Sequence, residues 1–155
     1  MMYNKNLMRI FFAGPLTDLK NPNKTKTFYV KLAEVAKVNG FDYFWAFQHG
    51  TDPNLERVIS AIEVYERDST QLLQSNLMVA YIGEPSPGVG IEVELAHTHN
   101  IPVYVLYEKD RWTSRMLRGC PSVRKEIIFT SEKDCLEQFQ KLLQDLQKDP
   151  EALML

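Results

Sequence analysis

Nearly uninterrupted apolar runs, separated by amphipathic stretches, constrain this chain more than any other feature. "LMRIFFAG", "NLMVAYIG" and "IPVYVLY" show almost no polar alternation, and "KEIIF" is a fourth, shorter run. That is the pattern of strands covered on both faces. Between the first run and the aromatic "FDYFWAF", Phe28, Leu32, Val35 and Ala36 recur at helical spacing within Lys24–Asn39, while Lys24, Lys31, Glu34 and Lys37 face away and Asn39-Gly40 supplies a stop. "FDYFWAF" reads as a strand, and "QHGTDPN" as a loop that opens a helix. The pattern predicts a long helix over about Asn54 to Gln74, with Leu55, Val58, Ile59, Ile62, Tyr65, Leu72 and Leu73 on its apolar side and Asp68 on the face expected to be buried. "SEKDCLEQFQKLLQDLQ" is a closing amphipathic helix that stops near Asp149-Pro150.

Strands alternating with helices imply a parallel sheet covered on both sides and joined by right-handed crossovers. The expected architecture is α/β, a Rossmann-like or flavodoxin-like three-layer sandwich with a parallel central sheet, formed by residues 1–155 as one domain. Ligands of such sheets bind beyond the carboxyl ends of the strands, where "AGPLTD" and "GEPSPGVGIE" should both lie.

The balance of residues excludes several classes of function. A net charge of −2, from 18 basic and 20 acidic residues without a block of either sign, offers a nucleic acid polymer no broad basic surface. No apolar run reaches the roughly 18 residues of a membrane span, and the N-terminal apolar patch runs straight into Gly14-Pro15, too short for a signal-peptide core. Cys120 and Cys135 lack paired spacing and fit reduced thiols, so the chain is expected in the cytoplasm. His49, His97 and His99 are not spaced as ligands on one helix face, so the site is expected to hold no metal, and no cofactor is expected either.

"PSPGVGIEVELAH" carries the chemistry. Gly88 and Gly90 are followed by Val93 where a dinucleotide fingerprint needs its third glycine, and there is no P-loop pattern. The glycines are expected to turn the backbone sharply and let it approach a ligand, placing Glu92 in the first turn of a helix at the mouth of a site. A carboxylate there is expected to be held ionised by the helix dipole, with Asp68 as a second carboxylate of raised pKa. Two carboxylates with separate roles are what glycosyl transfer uses. The competing reading is structural, since glutamate favours a helix start for its dipole and Asp68 could be a helix end. Trp45 and Phe47 could stack on a base or belong to the core, and Asp18 and Asn21 read as turn residues.

"FFAGPLTD", "YERDSTQLLQSNLMVAYIGEPSPGVGIEVELA" and "TSRMLRGC" resemble, in that order from about Arg9 to Cys120, the superfamily of nucleoside 2-deoxyribosyltransferases, 2'-deoxynucleoside 5'-phosphate N-hydrolases and cytidine monophosphate N-glycosidases. The resemblance implies that Glu92 attacks C1' of the sugar and that Asp68 contacts sugar and base and assists proton transfer to the leaving base. It implies that Ser86 holds a 5'-phosphate, where the transferases have an aspartate. Ser114 resembles the serine that reaches a neighbouring subunit's site, which implies a homodimer with shared sites, and Arg118 could join Ser86 and Ser114 around the phosphate. Gly88 and Gly90 match the turn that lets backbone amides reach the ligand, while Phe11, Gly14, Pro15 and Leu16 are implied to line the substrate site. Pro15 and Thr17 stand where the hydrolases have a phosphate-holding serine and arginine. Phe11 stands where many members have a tyrosine that orients the glutamate, and in this it is similar to the cytidine monophosphate N-glycosidases. The expected activity is cleavage of the N-glycosidic bond of a nucleoside 5'-monophosphate. Base exchange between deoxynucleosides and a nucleotide sensor without chemistry stand as alternatives.

Overall fold

The computed structural model describes residues 7–49 and 59–153. Five strands form one sheet: β1 (Arg9–Ala13), β2 (Asp42–Trp45), β3 (Leu77–Tyr81), β4 (Val103–Glu108) and β5 (Val123–Phe129). All neighbours pair in parallel in the order β2-β1-β3-β4-β5. This is the flavodoxin-like order, and its direction of winding reverses between β1 and β3. The three central strands are buried almost throughout because helices cover both faces, as their unbroken apolar runs require. β5 lies at an edge, where Ile127 and Phe129 are buried on the face that α1 and α5 cover and Ile128 between them is exposed on the other.

One face of the sheet packs on helices α1 (Pro22–Val38) and α5 (Glu132–Lys148) through a core that includes Phe12, Tyr29, Leu32, Trp45 and Phe139. Asn21 caps α1 by accepting from Lys24 N, and Pro22 occupies the first turn, where a missing N–H is not felt. Asp18 has a φ of 53°, so both polar residues of the first loop shape the turn. The other face carries α2 (Ala61–Leu73) and α3 (Pro87–Thr98), packed through Phe11, Leu72, Met78, Val89 and Val93. A short helix, α4 (Arg115–Arg118), follows β4. Among the described residues no helix is long and apolar enough to cross a membrane.

Three elements differ from the sequence reading. The strand in "FDYFWAF" stops at Trp45, and Ala46–His49 form a 3-10 turn. The helix expected from Asn54 begins at Ala61, because Ser60 accepts from Glu63 N while Glu63 accepts from Ser60 N, a reciprocal cap that fixes the start; Leu55 and Val58 lie outside the described residues. The apolar side assigned to that helix is really two stripes. Val64, Asp68 and Leu72, four residues apart, face the sheet, whereas Ile62, Tyr65 and Leu73 sit about a quarter turn away and are 71%, 60% and 44% exposed. The C-terminal segment forms a 3-10 turn over Pro150–Leu153 with Leu153 against the core.

Leu72 is fully buried, so Leu72→Ala is expected to destabilise the fold by about 2–5 kcal/mol, whereas Ser60→Ala should cost about 1 kcal/mol through the lost cap. Chemical denaturation of the two variants checks the contrast.

Candidate active site

β1 ends in Ala13 and β3 in Tyr81, and the loops that follow them diverge at the switch point of the sheet. The first loop is held down by Tyr29, whose hydroxyl donates to the carbonyl of Pro15 at 2.8 Å. Gly14 is required there, since a Cβ would lie 2.4 Å from the Tyr29 hydroxyl oxygen. The second loop runs through Pro85 into α3. Ser86 caps that helix, its Oγ accepting from Val89 N at 3.3 Å, which leaves the hydroxyl hydrogen available for donation outward.

Gly88 and Gly90 do not make the sharp turn expected of them. Both lie within the first turns of α3, and neither has a positive φ. A Cβ on Gly88 would touch only Ser86 Oγ, at 3.8 Å, and one on Gly90 would meet nothing. The bend belongs instead to the segment before Pro87. The glycines leave the helix start without side chains: Pro87 has no N–H, Val89 N donates to Ser86 Oγ and Gly90 N to the Ser86 carbonyl, so the amide of Gly88 is the one left to meet an approaching group.

A cavity of about 410 Å³ fills the space between the two loops. Of the residues singled out from the sequence, Gly14, Leu16, Asp68, Ser86, Gly88 and Glu92 line it together. Phe11 does not: it stacks on Phe44 at 5.7 Å within the core, because its side chain points to the α2/α3 face, and Phe12 reaches the cavity from the strand end. Pro15 is buried beneath the loop. Gly90 and Ser114 lie in an adjoining groove of about 990 Å³, which shares Pro85, Ser86, Pro87 and Val89 with the cavity. Ser114 caps α4 by accepting from Leu117 N. Arg118 lines neither space; its Nε and Nη2 donate to the two oxygens of Glu126 at 2.8 and 3.1 Å, and its guanidinium lies over Tyr107. Trp45, Ala46 and Val64 also line the cavity. Sequence reasoning missed Ala46 and Val64, whose only signal is their place at a strand end and on the inner stripe of α2.

Asp68 is 7% exposed and lies in the middle of α2 rather than at its end. Arg67 donates to Asp68 Oδ1 through Nε at 2.8 Å and Nη2 at 2.7 Å, and through Nη1 to the carbonyl of His49. The same guanidinium lies 5.6 Å over the Phe44 ring, on which His49 also stacks. Burial lowers the His49 pKa, and the Arg67 charge adds to the effect. The carboxylate on α2 therefore has a cationic partner, and the one that bears uncompensated burial is Glu92. Burial pushes the Glu92 carboxyl up to about 8, and the negative charge of Asp68 adds to the rise. This corrects the expectation of an ionised glutamate in the first turn: Glu92 is the sixth residue of α3, in its second turn, where the dipole of the helix start has faded, and loss of solvent is the larger effect.

A parallel sheet in this order, with a cavity at its switch point lined by two carboxyl residues, is an α/β fold of the deoxyribosyltransferase-like kind. A protein of Methanosarcina barkeri named "Putative 2'-deoxynucleoside 5'-phosphate N-hydrolase 1" is 40% identical over 120 residues, covering 76% of this chain and 72% of its own. This chain belongs to the 2'-deoxynucleoside 5'-phosphate N-hydrolase family. No family model matches it. Among solved structures, a CMP N-glycosidase of Clostridium botulinum has a TM-score of 0.67 at 21% identity, over 86% of this chain and 98% of its own. A 2-deoxyribosyltransferase of Bacillus psychrosaccharolyticus has a TM-score of 0.61 at 17% identity, over 81% and 88%. Both share the fold.

The raised Glu92 carboxyl makes stability depend on pH. Between its ordinary value near 4.5 and about 8, the folded chain keeps a proton that the unfolded chain has released. Its contribution to stability is therefore full below the ordinary value and is lost as pH rises through about 8. Glu92→Gln removes this penalty, so its melting temperature relative to the unaltered chain is expected to climb between pH 5 and pH 8. A difference that stays flat with pH contradicts the burial of this charge.

Proposed function

We propose that this chain cleaves the N-glycosidic bond of a nucleoside 5'-monophosphate, releasing a free base and a sugar phosphate. The observation that carries the reading is the convergence of Glu92, Asp68 and Ser86 on one cavity at the switch point of the sheet.

Glu92, once deprotonated, attacks C1' of the sugar. A carboxylate oxygen bonds to C1' as the C1'–N bond breaks, and that bond's electron pair passes to the base. The proton that Glu92 holds at rest passes by way of Asp68 to the departing nitrogen, so the pair of carboxyls supplies both nucleophile and acid. Arg67 positions Asp68 through the two bonds to Oδ1. Water then attacks C1' of the glycosyl ester, the C–O bond to Glu92 breaks, and the water proton returns to the pair. Ser86 donates its hydroxyl hydrogen to the phosphate, and the Gly88 amide at the start of α3 adds a second donor. Serine in place of the aspartate found in the transferases favours a phosphorylated substrate and water as the acceptor.

A homodimer completes the arrangement in this reading. Trp112 is 100% and Met116 90% exposed along the groove that holds Ser114 and continues into the cavity, and the outer stripe of α2 is a further apolar surface. A partner's Ser114 would then serve the phosphate end, while Arg118 stays with Glu126 as a strut. Free thiols at Cys120 and Cys135 suit a reducing compartment, the cytoplasm.

Chromatography of bases released from ribo- and deoxyribonucleosides and their 5'-monophosphates, with and without a second base, tests the activity. Release from monophosphates without acceptor is expected; exchange that requires an acceptor would move the chain to the transferase reaction, and silence would leave a sensor. Glu92→Ala is expected to abolish release, and Asp68→Asn to slow it by about 10²–10⁴-fold. Gly88→Ala is expected to leave melting unchanged or raise it, since a helical glycine gives up about 1 kcal/mol against alanine, while it obstructs phosphate and lowers turnover.

A further inference from the structure

A nucleoside 5'-monophosphate brings about two negative charges on its phosphate near neutral pH. The cavity it would enter already holds two carboxyl groups, and among the described residues that line it there is no lysine, arginine or histidine. Ser86 and the Gly88 amide are neutral donors. Arg67 is engaged at Asp68 and at the His49 carbonyl. Lys20, Lys24 and Arg111 line a different cavity with Phe28 and Phe129 of the α1/α5 face, and that cavity shares no residue with the active site. Arg118, the cation that the sequence offered for the phosphate, is held by Glu126. A balancing charge from the protein has to come from beside the cavity.

Ser86 stands where the cavity meets the adjoining groove, and Pro85, Pro87 and Val89 line both spaces with it. Among the described residues, two basic side chains line that groove, His97 and Arg115. His97 is already paired, its Nδ1 lying 3.0 Å from Ser122 Oγ. Arg115 is exposed, and its guanidinium makes no hydrogen bond or ion pair with any described residue; Glu84 and Glu94 share the groove without pairing with it. The helix that carries it is anchored, with Ser114 capping its start and Arg118 tying its end to β5. We infer that Arg115 pairs with the 5'-phosphate of a nucleotide held at Ser86, its planar guanidinium donating two parallel N–H bonds to the phosphate oxygens. The inference rests on the nucleotide reading above. Ser86 and Arg115 line one groove of one chain, so the pairing needs no second copy. The phosphate takes no part in bond breaking and keeps its charge throughout, so Arg115 holds the ground state and the transition state alike and acts on KM rather than on kcat.

Titration calorimetry in the Glu92→Gln background, which holds substrate intact, separates the parts of the ligand when a 2'-deoxynucleoside 5'-monophosphate, deoxyribose 5-phosphate and the matching nucleoside are compared. Adding Arg115→Ala is expected to weaken binding of the two phosphorylated ligands by about ten- to a hundred-fold and to change that of the nucleoside by less than about twofold. Arg115→Lys, which keeps the charge without the fork, is expected to recover part of the loss. With Glu92 in place, Arg115→Ala is expected to raise KM for the nucleotide by a similar factor while kcat stays within about twofold. The side chain is exposed, so the melting temperature is expected to stay the same. Nucleotide affinity that ignores Arg115→Ala overturns the inference and leaves the activity standing, as does an equal loss for nucleotide and nucleoside. A chain that neither binds nor cleaves any nucleotide fails the underlying reading, and the inference falls with it.

Discussion

Two carboxyl groups lining one cleft is the constraint on which the rest of this structure turns. Left to themselves, Glu92 and Asp68 would both ionise and repel, and burial of the Glu92 carboxyl adds to the cost of its charge. The fold resolves the conflict asymmetrically. Asp68 is given a guanidinium that is itself pinned to the His49 carbonyl and the Phe44 ring, whereas Glu92 is left to hold a proton. In the proposed reaction that proton serves the leaving base, which gives the electrostatic cost a use in the chemistry.

The framework around the pair follows from that need. A parallel sheet whose winding reverses between β1 and β3 separates two loops without any special sequence, and the cleft opens between them. Tyr29 and Gly14 fix one wall, through a hydrogen bond on one side and a missing Cβ on the other. Ser86 and Gly88 of α3 make the opposite wall, where a cap hydroxyl and the Gly88 amide would meet the phosphate of the proposed substrate. α2 then lays Asp68 across the floor by facing Val64, Asp68 and Leu72 to the sheet.

Much of this was legible in the sequence because it depends on local pattern. Unbroken apolar runs announced buried parallel strands, and Asp68 stood out as a carboxylate on a helix face bound for the interior. What stayed hidden depends on contacts between distant residues. Nothing near Glu92 in the chain shows how much solvent its carboxyl loses, and the helix-dipole argument therefore pointed to the ionised form. Spacing could not separate the inner stripe of α2 from its exposed one, since both are apolar and only packing distinguishes them. Arg118 looked available for phosphate until the pairing of β4 with β5 brought Glu126 within reach. Phe11 and Phe12 are adjacent, and which one reaches the cavity is settled by the pleat and by where the strand ends.

The most direct test is a carboxyl-carbon NMR titration of Glu92 in the free protein, assigned with Glu92→Gln. The account predicts a midpoint near 8, moving downward in Asp68→Asn while staying above the ordinary glutamate range, because burial is the larger cause. A Glu92 that titrates near 4.5 and ignores Asp68→Asn would contradict the shared, proton-holding pair on which the account rests.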